Sequence, residues 1–514
     1  AGPGLPREEP SAAAVIVMYS SYRHRASLIG RGTRLGQPRP RALDSGGGRG
    51  RALRRTDEDE SIMNANATDS KPTVMQARRR ARVFRSQSAR RGGILAAALS
   101  ASALAASCMP YIPPPSVPIE MLSTGDAVVV VWMEHGRSVS GLGKGSGDTA
   151  IALLDAQGKP TVSYLDDSSV DPLLWTENGL SFGVNNENFL TTEKGTRRTP
   201  RPGFRTTEDK RYALPDGRIA VLGGAKYTGN QVDTIELDGS TTSVKTAETS
   251  GDVGQCGSRI LAITDTQESE SIKGSAREAY AAQSGSQTDI PEELAAVVQL
   301  NDAVGDEPRV LAVAPMIEGL KSGQFMFACE GDVITMPSVL QDDPVAARSF
   351  GVDATTGPMV LQRWDLSTGQ RTVIPAFDEN GNEISLSKDL TIFGYQAVQV
   401  GDEYRFISRR GHAFTVNLRS GQARHLFTIP AETASHRTLF QVTETGVYVL
   451  EDRYREHLVT ISYRPWDGGD LREVITTGQL EKYLRTNAGG ILSSGQEREI
   501  ENFALRPGWD GGAQ

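Results

Sequence analysis

From residue 118 onward the apolar positions fall into short runs. Ala127–Met133 (AVVVVWM), Arg259–Ile263 (RILAI) and Gly446–Leu450 (GVYVL) are typical. They are rich in Val, Ile, Tyr and Phe. Polar stretches containing Gly, Asp or Asn separate them, and no helical period persists. Short β-branched runs bounded by turn residues predict an all-β body.

The turn glycines form two alternating series. The first comprises Gly125, Gly179, Gly217, Gly257, Gly331, Gly401 and Gly446, with Gly489 as a weaker eighth member. The second comprises Gly158, Gly195, Gly239, Gly305, Gly369, Gly421 and Gly468. In the compact units the two glycines lie 16 to 22 residues apart, as in 179 to 195 and 217 to 239. That distance holds two strands and a short loop. Two hairpin turns per unit make four antiparallel strands, A to D from the axis outward. Such a unit resembles a β-propeller blade. Seven full units are legible. Residues 480–511 read as an eighth, whose outer strand would come from 111–117. The expected fold is thus an all-β propeller of seven to eight four-stranded blades, with eight favoured. The alternatives are seven blades with 480–514 as an appendage, or a two-sheet sandwich.

The A–B and C–D turns of a propeller share one face, and the B–C and D–A loops share the other. Insertions at 134–148, 265–294 and 337–358 all fall in B–C loops, where a rigid scaffold would carry function. Within the second, Ser275–Gln283 is expected to be helical, with Ser275 as N-cap and Glu278 completing a capping box.

The N-terminal part differs. Residues 1–74 are rich in Gly, Arg, Pro and Ala and are expected to be disordered. Met63 and Met75 are candidate translation starts, which would make the preceding residues an upstream extension. From 75, a run of arginines ending in Arg90-Arg91 leads into a thirteen-residue apolar stretch, 94–106. A stable spanning helix needs about twenty residues, so this stretch fits a signal peptide, 75–107. Its end, Leu104-Ala105-Ala106-Ser107-Cys108, resembles the lipobox of bacterial lipoproteins. The departure is Ala105 where that family usually carries Leu. The resemblance implies that Cys108 is lipidated and that the mature chain is anchored to the outer face of the cell membrane. Cleavage after Ala103-Leu104-Ala105 and an uncleaved anchor are the alternatives, and Sec and twin-arginine export both stay open. Residues 108–117 (CMPYIPPPSV) then form a proline-rich tether that leaves the loop-bearing face free.

Charge follows the same division. Residues 1–107 hold 19 basic and 8 acidic side chains; the remainder holds 36 and 55. So acidic a body repels phosphate backbones, and a nucleic-acid partner is not expected. The cysteines are Cys108, Cys256 and Cys329, with no zinc-ligand spacing; neither metal nor cofactor is expected. Cys256 and Cys329 stand just before the A–B glycines of successive blades. That predicts an inter-blade disulfide in an exported protein.

Candidate chemistry gathers on the loop face. His135, His412 and His457 are placed in B–C loops and His436 in a D–A loop, with Arg409, Arg410, Arg453 and Arg455 beside them. They are candidates for a basic patch that receives an envelope protein or a glycan. Gly141–Asp148 lacks P-loop spacing. Asp378–Glu383 reads as a hairpin turn, and Leu165–Asp171 as an acidic loop. No GxSxG nucleophile elbow occurs. The expected role is a ligand- or protein-binding module at the cell envelope. A glycan-active hydrolase or lyase is the alternative, and catalytic residues are not identifiable.

Overall fold

The computed structural model describes residues 114–135, 149–165, 172–184, 187–201, 208–225, 229–247, 251–267, 269–322, 326–341, 357–386, 397–408, 410–430, 437–486 and 496–511. The leader, Cys108, the stretches 141–148 and 166–171, and Gly489 lie outside them.

The strands form seven antiparallel sheets, which are the blades of a β-propeller. Blade 1 holds β1 (Ala127–His135), β2 (Thr149–Asp155) and β3 (Pro160–Leu165). Blades 2, 3 and 4 are β4–β7 (174–200), β8–β11 (208–246) and β12–β15 (252–315). In blade 5 the inner strand is split into β16 (Leu320–Ser322) and β17 (Ala328–Glu330), both paired with β18 (Val333–Leu340). Outward lie β19 (Gly357–Asp365) and β20 (Gln370–Pro375), and the short β21 (Ser385–Leu386) pairs with the start of β19. Blades 6 and 7 are β22–β25 (397–428) and β26–β29 (437–477).

The expected eighth blade does not form. Residues 481–484 make one helical turn, α2 once the helix of blade 4 is counted as α1, and β30 is only Arg485–Thr486. The last strand, β31 (Gln496–Leu505), joins blade 1 as its inner strand, pairing Val129 with Leu505 and His135 with Arg498. Neither is 480–514 an appendage. Turn glycines report hairpins, and this pairing is not a hairpin, since it joins residues hundreds of positions apart. Gly125 accordingly lies where the approach to β1 meets the exit from β31: Arg506 donates to Gly125 O at 2.8 Å and its backbone N–H to Val128 O at 2.9 Å. Nor does the tether complete an eighth blade. Val117 lies against the outer strand of blade 1 and donates to Val162 O at 2.9 Å.

The other described turn glycines stand where the pattern places them. Gly257, Gly331 and Gly401 have φ near +60°, a conformation that a side chain makes costly. Within each blade, alternate residues face opposite neighbours. Val129, Val131 and Met133 pack toward blade 7 with Leu450 and Ile461, while Val130 and Trp132 pack toward blade 2 with Phe182. Both faces of a blade are buried, which explains why Ala127–Met133 reads as an unbroken apolar run.

Successive blades are tied at their inner turns. Cys256 and Cys329 stand at disulfide distance, with Cα atoms 5.7 Å apart. Gln255 Nε2 donates to Ala213 O of the preceding blade and to Gly257 O. Gln399, also two residues before its turn glycine, repeats the device: it accepts from Cys329 N and donates to Gly401 O.

The insertions are narrower than expected, because 134–135, 337–340 and 357–358 belong to strands. The helix in blade 4 is α1 (Lys273–Ser284), with its N-cap at Ile272, three residues before the Ser275 cap that the pattern indicates. Ser275 lies inside it and donates back to Ile272 O. Ile272 and Ala276 are fully buried against Val298 and Val313, so their burial sets the start in place of a capping box worth about 1 kcal/mol. The helix lies along β15 (Glu307–Pro315), and Gln283 at its far end donates to Gly369 O in the C–D turn of blade 5. It straps an outer strand edge.

Truncation before Gln496 removes the inner strand of blade 1 and is expected to abolish the cooperative thermal transition followed by circular dichroism. Cys329→Ser is expected to lower the unfolding free energy by about 2–4 kcal/mol in denaturant titration. Two free thiols at Cys256 and Cys329 in the non-reduced protein would contradict the pairing.

Candidate functional site

The loop face of blade 7 carries the densest charged cluster among the candidates. β27 (Gly446–Arg453) and β28 (Leu458–Pro465) are joined by the B–C turn 454–457. The turn closes through Glu456 N–H to Arg453 O at 2.9 Å. His457 has φ of 60°, unique among the described non-glycine residues. Such a conformation costs about 1–3 kcal/mol and persists where surrounding contacts hold it. One contact does so here: His457 Nδ1 lies 2.6 Å from Glu481 Oε1 on α2. Arg485 pairs with that same carboxylate and with Asp452 at 3.0 Å.

Arg453 lies 2.9 Å from Glu451, 3.7 Å from Glu473 and 3.9 Å from Glu456. The hydrogen bonds it donates to Glu451 raise its pKa further above the usual guanidinium range. Tyr454 is 41% exposed, with the Arg455 and Arg485 guanidiniums 5.7 and 5.9 Å from its ring centre. The cluster holds Arg453, Arg455 and Arg485 against Glu451, Asp452, Glu456, Glu473 and Glu481. It is a network with excess carboxylate, not the basic patch that the arginines alone imply.

Blade 6 builds a separate cluster. His412 opens β24 (His412–Asn417), so it lies in a strand and not in the B–C loop. The loop is a tight turn: Gly411 N–H donates to Ser408 O and Ser408 N–H to His412 O. A Cβ on Gly411 would meet Ile429 O at 1.8 Å, so no other residue fits. His412 Nδ1 and His425 Nε2 both meet Thr428 Oγ1, at 3.0 and 3.1 Å. The two rings are 5.7 Å apart, and His425 stands edge-on to Phe414. Burial, then the neighbouring His412, lowers the pKa of His425.

Of the remaining candidates, Arg410 is exposed in the same turn. His135 ends β1, again in a strand, and its side chain is not described. Arg409 and His436 lie outside the described residues. The structure thus brings His457 to Glu481, Arg453 to its glutamates and His412 to His425, each cluster made within its own blade and the connection that follows it. Sequence reading missed Asp452, Tyr454, Glu481 and Arg485. Glu481 and Arg485 stand four residues apart, a helical pairing signal hidden when 480–511 is read as strands.

At the other motif sites, Asp378 accepts from Asn380 N–H, Asn382 N–H and Asn382 Nδ2, so that stretch is a self-bonded hairpin turn. Among the described residues no group of three or more His, Cys, Asp or Glu is arranged to hold a metal ion, and no helix is long and apolar enough to cross a membrane.

No protein-family model matches the chain. No curated protein matches it in sequence. Among solved structures, a lignostilbene dioxygenase from Pseudomonas brassicacearum is 11% identical with a TM-score of 0.34, covering 69% of this chain and 90% of that one. The WD40 domain of Neurospora crassa Pan2 is 10% identical with a TM-score of 0.33, covering 66% and 86%. Likeness at this level bears on neither ligand nor activity, and the propeller assignment rests on the strand pairing itself.

A histidine with a depressed folded-state pKa stabilises the fold above its unfolded pKa, near 6.5, and loses that contribution as pH falls through the lower folded value. Melting temperature is therefore expected to fall on acidification from about pH 7 to 5. His425→Gln is expected to flatten that slope, and an unchanged slope would remove His425 as its source.

Proposed function

We propose that the chain is an exported lipoprotein whose seven-bladed ring acts as a binding module at the outer face of a bacterial cell membrane. The observation that carries this reading is the Cys256–Cys329 pair, at disulfide distance across blades 4 and 5. A bridge between blades suits an oxidising compartment. The arginine-rich leader, the apolar stretch 94–106 and the lipobox-like end at Cys108 supply the route. An envelope protein or a glycan engages the loop face, and Arg410 and His412 on blade 6 are the proposed contacts. Both are placed by a turn of fixed geometry on a rigid sheet, which suits recognition.

Hydrolysis of a glycan is the second reading. It is favoured by the His457–Glu481 contact, because a carboxylate on one imidazole nitrogen orients the ring for proton transfer at the other. Arg485 and Asp452 complete that network.

Metabolic labelling with a fatty acid is expected to mark the wild type and to leave Cys108→Ser unlabelled and released from membranes. In pull-downs from envelope extract, the double variant Arg410→Ala/His412→Ala is expected to lose at least tenfold of the captured partner. Full retention of every partner would reject those contacts. Glycan turnover abolished by His457→Ala would favour the enzyme.

A further inference from the structure

The tether is held at a definite place on the ring. Val117 N–H donates to Val162 O on the outer strand of blade 1. Tyr483 on α2 donates its hydroxyl to Pro115 O at 2.8 Å. Residue 115 is therefore fixed beside the connection from blade 7 to blade 1, on the side of the loop-bearing face. Cys108 precedes Pro114 by six residues. Six residues reach at most about 20 Å when fully extended. A lipid on Cys108 thus brings this corner of the ring within about 20 Å of the headgroups, whatever path the tether takes.

The corner has a chemistry suited to that position. Lys482 is exposed and lies over the Tyr483 ring at 4.9 Å. Glu481, next in the helix, holds His457 of the B–C turn. That turn projects Tyr454, 41% exposed, and the exposed Arg455. An amphipathic aromatic flanked by long cationic side chains is a typical membrane-interface anchor. The exposed carboxylates of the cluster are Glu456 in the turn and Glu473, which both face Arg453, while Glu481 in α2 is bound by His457 and Arg485. The body as a whole is acidic and repels anionic lipid, but such repulsion fades beyond about 8–10 Å at physiological salt. Arg455 and Lys482, the exposed cations of the corner, can therefore reach headgroup phosphates even though the cluster behind them is rich in carboxylate.

We infer that the corner formed by Tyr454, Arg455 and Lys482 rests on the anionic phospholipid surface, so that the ring is held with the blade 7 end of its loop face toward the bilayer. The inference rests on the lipoprotein reading and reverses the expectation that the tether leaves the whole loop face free. A partner is then left the loops of the blades farther from the tether.

The test uses the full chain with Cys256 and Cys329 bridged, so that Cys108 carries the remaining thiol. It is coupled through Cys108 to a maleimide lipid in vesicles of phosphatidylglycerol and phosphatidylcholine. Hydrogen exchange is then compared with uncoupled protein mixed with the same vesicles. Amides at 454–458 and 481–486 are expected to slow at least threefold, with no change at the opposite-face turns around Gly331 and Gly401. Arg455→Glu/Lys482→Glu is expected to remove the slowing. Slowing that is absent, equal on both faces, confined to Gly331 and Gly401, or unaffected by charge reversal overturns the inference. Acylation is read separately, from the mass of the Cys108 peptide of the membrane-derived protein. An unmodified cysteine there defeats the lipoprotein reading and leaves the orientation result standing by itself.

Discussion

The ring depends on one pairing, that of Gln496–Leu505 with Ala127–His135. Every other blade is made from consecutive strands, and each could form from its own hairpins. Blade 1 is not complete until the last strand of the propeller reaches the first. The pairing places Phe503 and Leu505 in the core shared with blade 7, and Ala504 in the core shared with blade 2. It also buries the inner edge of β1, whose Val129–Met133 run would otherwise be an exposed apolar edge. Beyond the strand, the tail continues the closure: Trp509 stacks on Tyr448 at 5.6 Å and accepts a hydrogen bond from its hydroxyl.

Once the ring is closed, its blades have little freedom relative to one another. The contacts between them are of different kinds and sit at different radii. Near the axis, Gln255 and Gln399 reach back to the preceding inner strand, and the cysteine pair bridges blades 4 and 5. Farther out, Tyr404 donates its hydroxyl to Met326 O of the preceding blade, and burial pushes its pKa well above the ordinary tyrosine value. At the rim, Thr477 of blade 7 donates to Gly158 O of blade 1. The loop face therefore stands on a stiff base. A strained residue such as His457 can be maintained there by contacts in its own turn and the next connection.

On that base the charged side chains bind mostly to one another. Arg453 and Arg485 are each held by carboxylates, and His457 by Glu481. Arginine sites of this kind favour fixed geometry over free positive charge, because exposed ion pairs add little energy but orient the groups they join. What stays outward at blade 7 is the Tyr454 ring with Arg455, Lys482 and the carboxylates of Glu456 and Glu473 around it, close to where residue 115 meets α2. What stays outward at blade 6 is Arg410, beside a histidine pair sharing one hydroxyl. The two clusters differ in chemistry, and the blade 7 cluster is the one joined through Tyr483 to residue 115.

The all-β class, the paired turns and the cysteine pairing are legible from the residues alone. Each rests on a local rule: a turn with φ near +60° selects glycine, and a strand buried on both faces reads as a continuous apolar run. Position relative to those turns was enough to bring Cys256 and Cys329 together. The number of blades emerges only in three dimensions, because the pairing that closes the ring joins segments with no turn between them. The fold moved the N-cap of α1 from Ser275 to Ile272, because the burial of Ile272 and Ala276 outweighs a capping box. It placed His412 in a strand, because the Gly411 turn is shorter than the loop read from spacing. And it turned a row of arginines into a carboxylate-bound network, because the partners Glu473, Glu481 and Asp452 come from separate strands and a helix. Charge along a chain is local, but the charge a partner meets is set by which side chains the fold brings into contact.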